Sequence, residues 1–163
     1  VAVASAAGAA GSMDKLDQVI NLVKPGKPDA LVMNRTMERR IRGFYRSSGI
    51  NYEVRRGEDG VLMPYYGNVP ILLDDFILHT ELCDSSGIYT SVGSGATSSV
   101  FAVQFGPKKL AGIKNGGIKK VRIGQLESKD AIRWRLKWYV ALALYGTLAL
   151  GRYQGITDAA FGV

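Results

Sequence analysis

Two side chains favoured by catalysts and metals stand four residues apart in the middle of the chain, His79 and Cys83. They are the only histidine and the only cysteine. A Cys–His mechanism needs the thiolate, the imidazole and a group that orients the imidazole, and no such spacing accompanies this pair. Two ligands also make a poor zinc site, because structural zinc takes four. The lone Cys83 excludes an intrachain disulfide. The stretch Gly93–Ser94–Gly95–Ala96–Thr97–Ser98–Ser99 resembles a phosphate cradle in composition, yet it lacks the lysine a P-loop needs. It reads as part of a long surface loop over residues 83–99. Asp74–Asp75 and Glu58–Asp59 are carboxylate neighbours at turns, where such pairs are ordinarily solvated. The chain is therefore read as non-catalytic, with no catalytic, cofactor-binding or metal-binding residues.

The remaining chemistry is cationic. Twenty-one Lys and Arg against 14 Asp and Glu leave a net charge of +7, which suits nucleic acid, an anionic membrane or an acidic neighbour. The cations cluster twice. Arg35, Arg39, Arg40, Arg42 and Arg46 lie on one predicted helix, and Lys119, Lys120, Arg122, Arg133, Arg135 and Lys137 lie on two predicted strands. Arginine pairs well with phosphate, so both clusters are candidate nucleic-acid or subunit contacts. The helical cluster reads first as the solvated face of an amphipathic helix or a salt-bridging face against another subunit, and second as a nucleic-acid contact. No zinc-finger, helix-turn-helix or RNA-recognition signature accompanies it.

The elements that must carry these residues follow from spacing. At 163 residues, with 47% hydrophobic and 21% charged residues, the chain can bury a genuine core, and its 20 glycines favour turns and short strands. Residues 1–12 read as a linker or the end of a preceding element, and Val1 as the start of a processed product or fragment. Ser12 is an N-cap for a helix whose stripe is Leu16, Val19, Ile20 and Val23, ended by Pro25–Gly26. Ala30–Met33 is a short apolar strand, and Asn34 caps a second helix with Met37, Ile41, Phe44 and Tyr45 inward. Residues 50–56 and 61–66 form a hairpin, and residues 69–73 a strand that Pro70 assigns to an edge. Residues 100–105 and 118–126 return to strand. Ile132, Trp134, Leu136, Trp138, Val140, Leu142 and Leu144 then alternate strictly with charged or small residues, which predicts one long strand with a buried face. There is no signal peptide, and the longest apolar run is short of the roughly 20 residues a membrane helix requires, so a soluble chain without membrane partners is expected.

Taken in order, PDALVMNRTMERRI at 28–41, YYGNVPILLDDFI at 65–77, SSVFAVQFGPKKLAGI at 98–113 and IRWRLKWYVALALYGTLALGRYQGI at 132–156 resemble the major capsid proteins of tailed double-stranded-DNA bacteriophages. The resemblance covers about residues 13–157. It implies an α+β, HK-97-type capsid fold with a mixed central sheet flanked by helices and a long C-terminal strand. Residues 13–113 would be the A domain, 114–144 part of the P domain, and 145–163 the return into the A domain. It further implies a structural subunit of an icosahedral virion, assembled in the host cytoplasm into pentamers and hexamers around packaged DNA, with scaffolding, portal and decoration proteins as further partners. The glycine-rich loops 57–60 and 84–99 would then line the capsomer centre. The family's N-terminal arm, E-loop and spine helix have no counterpart, and residues 128–130 offer no asparagine for a Lys–Asn crosslink, so none is expected. An encapsulin-like compartment shell and a basic nucleic-acid-binding module are the alternatives.

Overall fold

The computed structural model describes residues 2–57, 60–84, 86–90, 94–125 and 128–162. Glu58, Asp59 and Gly93, singled out above, lie outside the described residues. Strands β1 (Ala2–Ser12), β2 (Ala30–Met33), β3 (Val54–Arg56), β4 (Leu62–Tyr66), β5 (Val69–Leu73), β6 (Glu81–Cys83), β7 (Ser94–Val103) and β12 (Leu150–Gly162) form one mixed sheet. Its order is β1-β12-β7-β2-β5-β4-β3, with β6 also on β7. Strands β8 (Leu110–Lys114), β9 (Lys119–Gln125), β10 (Ile132–Lys137) and β11 (Val140–Leu144) stand apart as two antiparallel pairs, β9 with β10 and β8 with β11.

Helices α1 (Met13–Leu22) and α2 (Arg35–Ser47) bring the predicted stripes to a single core. Leu16, Val19 and Val23 from the first helical segment meet Met37 and Ile41 from the second, against Leu31, Met33, Ile71, Val100, Ala102, Tyr153 and Ile156 of the sheet. Burial of these side chains, each contributing about 1.5–3 kcal/mol, is the main source of stability. The close seating of α1 depends on Gly151. A Cβ there would lie 3.0 Å from the carbonyl oxygen of Val19. Asn34 starts α2 as expected, its side-chain oxygen accepting from the Met37 amide at 2.9 Å.

Four expectations need correction. Residues 2–12 are not a linker but a strand, paired parallel to β12 along one edge of the sheet. Their Ala/Gly/Ser composition lacks the usual β-branched signal, and the distant β12 supplies the ladder. The strand bearing Pro70 is not at an edge: β5 lies between β2 and β4. Pairing with β2 begins only at Ile71, so the missing Pro70 N–H is not required there. Residues 94–99 are strand, not loop. Thr97, Ser98 and Ser99 are buried because their hydroxyls donate to Glu81 O (2.7 Å), Leu78 O (3.0 Å) and Glu81 Oε2 (2.5 Å). Finally, the long strand is broken at Trp138–Tyr139 into β10 and β11, and its apolar residues are not buried.

Candidate functional site

The two cationic clusters meet different fates. Along α2 the arginines are largely neutralised within the chain. Arg35 pairs with Asp75 at 2.7 Å. Arg39 and Arg40 converge on Asp158 at 2.9 and 2.5 Å, and their hydrogen bonds, Arg40 foremost, hold that carboxyl below its usual range. Arg42 bonds the largely buried Glu38 at 2.5 Å and lies over the Tyr52 ring. Arg46 lines a concavity with Arg39, Arg40, Phe44 and Phe161. The helical arginines are thus mostly stitched to the sheet and to their own helix.

The second cluster lies on the ribbon that β8–β11 form. Segments 110–125 and 132–144 run antiparallel, with Leu110 opposite Leu144 at one end and Gln125 opposite Ile132 at the other. The Asn115 amide donates to Tyr139 O at 3.1 Å, carrying the pairing across the break. Thirteen residues at about 3.3 Å each make an arm about 40 Å long.

Residues directly opposite in an antiparallel pair share a face. Trp134 is opposite Arg122 and Leu136 opposite Lys120, so one face of β9–β10 carries Ile132, Trp134 and Leu136 flanked by those two cations. Lys120 Nζ lies 4.2 Å from the Trp134 ring centroid, a cation–π contact. The other face carries Arg133, Arg135, Lys137, Lys119 and Val121. On β8–β11, Val140, Leu142 and Leu144 share a face with Leu110, Gly112 and Lys114. The seven alternating residues from Ile132 to Leu144 are 44–76% exposed. Within each half alternation gave the shared side, Ile132, Trp134 and Leu136 on β10 and Val140, Leu142 and Leu144 on β11, but not what covers it.

The other candidates are dispersed. His79 is exposed and Cys83 buried. Asp74 accepts from the Phe76 amide within its own turn, and Asp75 is held by Arg35. Among the described residues no group of three or more His, Cys, Asp or Glu could hold a metal ion. Among the described residues no helix is long and apolar enough to cross a membrane. A polar cluster that sequence reasoning missed joins three strands: Arg152 donates to Ser99 Oγ at 3.0 Å and pairs with Glu81 at 3.1 Å. The Arg152 guanidinium also lies 5.5 Å from the ring centroids of Tyr89 and Phe101. Only the run Thr97–Ser98–Ser99 of β7 hints at it in sequence.

Comparison with solved structures now gives this architecture a counterpart. An encapsulin, in the cryo-electron microscopy structure of the holo-SrpI encapsulin complex from Synechococcus elongatus, superposes with a TM-score of 0.72 at 14% identity. The match covers 99% of this chain and 55% of the encapsulin chain. The fold is of the HK-97 type. The mixed α+β architecture agrees, with a large central sheet and few helices. This chain spans about half the length of that neighbour. No protein-family model matches the sequence, and no curated protein matches it.

Proposed function

We propose that this chain is part of a structural subunit that self-assembles into an icosahedral shell enclosing double-stranded DNA, a capsid role and not an enzymatic one. The observation that carries this reading is the ribbon's uncovered apolar face. Trp134, Leu136, Trp138, Val140 and Leu142 are about half exposed or more on an arm only two strands thick. Isolated two-stranded ribbons are marginal in water, and an apolar stripe of this length on a monomer marks an interaction surface. Where such a face meets a different surface of the next copy, the contacts are heterologous. Such contacts, repeated under closed symmetry, build rings and shells. The likeness in fold to an encapsulin supports the shell part of the reading. It also favours a second reading, an encapsulin-like compartment built around protein cargo. A basic module acting through α2 is less favoured, since Arg35, Arg39 and Arg42 already hold carboxylates.

In the capsid reading the partners are further copies in pentamers and hexamers, packaged DNA, and scaffolding, portal and decoration proteins, and the location is the virion. Electron microscopy of the polypeptide as its gene encodes it tests the proposal. Closed particles hundreds of ångströms across are expected; a small species at every concentration and salt would overturn it. Nuclease-protected DNA inside the particles supports the capsid, and a stoichiometric protein cargo without DNA supports the compartment.

A further inference from the structure

The charge of this molecule is concentrated on its arm. Between Phe105 and Tyr145 there are ten Lys and Arg and two acids, Glu127 and Asp130, a net charge of +8. The rest of the chain carries eleven Lys and Arg against twelve Asp and Glu, a net charge of −1. Among the described residues, none of the arm's cations is ion-paired, whereas all six ion pairs lie elsewhere in the chain.

The register sorts these cations. Lys119 lies directly opposite Lys137, with Arg135 and Arg133 following on the same face. Like charges directly opposite one another destabilise a ribbon, so this face is costly without a counter-charge. Val121, 39% exposed, is the large apolar side chain paired within it, and Ile123, 47% exposed, sits beside it at the register shift. Lysine is depleted from protein–protein interfaces although arginine is enriched there, whereas protein–DNA interfaces are polar and strongly positive, which suits a face that mixes both cations with little apolar surface.

We infer that the Lys119/Arg133/Arg135/Lys137 face of the ribbon binds the phosphate backbone of double-stranded DNA, while the opposite Ile132/Trp134/Leu136 face packs against protein. The inference deepens the capsid reading and rests on it for the source of the DNA. It also separates residues that sequence grouped together: Lys120 and Arg122 belong to the protein-packing face.

The test is fluorescence anisotropy of a short labelled DNA duplex with the purified chain, across a salt series. With about 0.9 counterion released per phosphate contact, four cations predict a log–log slope of about −3.6, or about a hundred-fold loss of affinity between 50 and 200 mM salt. Replacing all four with glutamine is expected to remove most of that slope. Glutamine at only Lys119 and Lys137 relieves the cross-strand repulsion, so that variant keeps its fold and loses about half. The combined Arg35→Ala/Arg39→Ala/Arg42→Ala variant is expected to keep the slope. Absence of salt-dependent binding, or an unchanged slope in the glutamine variants, overturns the inference. So does equal competition by poly-glutamate and by unlabelled duplex at matched charge, which would assign the face to an acidic protein segment. The duplex assay needs no particle, so its failure is separable from failure of the shell reading, which is decided by microscopy.

Discussion

Single residues on the core side of this molecule each serve several neighbours at once, which makes them sensitive. Asn34 is 5% exposed; its oxygen caps α2 through the Met37 amide and its amide donates to Ser98 Oγ at 2.8 Å. Asn34→Ala removes the cap and a buried partner together, and a loss of about 2 kcal/mol is expected. Urea unfolding should show a lower midpoint with an unchanged slope. Tyr52 and Tyr66 make a second case. Burial is the chief cause that pushes both phenols well above the ordinary tyrosine value, with hydrogen bonds to Glu38 and Asp17 adding to it. A raised folded-state pKa means that the stabilisation is fully present below about pH 10, the unfolded tyrosine value, and is lost as pH rises beyond it. Thermal melts from pH 8 to pH 11.5 should therefore fall steeply only past pH 10. The double variant Tyr52→Phe/Tyr66→Phe should melt lower at pH 8, having lost two hydrogen bonds, but decline less beyond pH 10. An equal decline in both proteins would show that other groups drive alkaline unfolding.

At the scale of elements, legibility in the sequence followed the strength of the local pattern. The helical stripes at Leu16–Val19–Val23 and Met37–Ile41 were plain because a period of 3.6 requires their burial on one side, and Asn34 announced its helix. The hairpin of β3 and β4 was visible from its glycine-bounded turn. β1 was invisible, because Ala and Gly carry no strand preference and its partner β12 lies at the far end of the chain. Thr97–Ser99 misled through polarity, since their burial depends on acceptors from Glu81 and Leu78 that only the fold supplies. The ribbon misled differently. A period of two states which side chains share a face, while the covering layer is a property of the tertiary structure. That distinction yields a prediction. Leu136→Gln and Leu142→Gln, at positions 71% and 76% exposed, should change stability by less than about 0.5 kcal/mol, while Leu16→Ala in the core should cost about 2–5 kcal/mol. If the ribbon is an assembly surface, the same two glutamines should abolish particle formation that the Leu16→Ala protein, refolded at low temperature, retains. Stability losses at Leu136 or Leu142 comparable to that at Leu16 would mean that the face is already covered within the chain.

At the scale of the molecule, the sheet and the ribbon are held by unequal means. The sheet has eight strands, with two helices sealing its core, whereas each half of the ribbon is two strands with both faces open to solvent. Stability should therefore be uneven: ribbon amides open locally, and those of β7, β12 and β2 open only with global unfolding. Native-state hydrogen exchange makes this measurable. In the free chain, amides in β9 and β10 should exchange at least a hundred-fold faster than those of Val100 and Tyr153, whose side chains are fully buried. The contrast should narrow when the ribbon's faces are engaged. In assembled particles the β8–β11 amides should gain protection while the sheet's change little, because its core is complete in one copy. DNA alone should protect β9 and β10 without protecting β8 and β11, since the Lys119/Arg133/Arg135/Lys137 face is confined to the first pair. Uniform protection of sheet and ribbon in the free chain would contradict the premise shared by both proposals, that the arm awaits a partner.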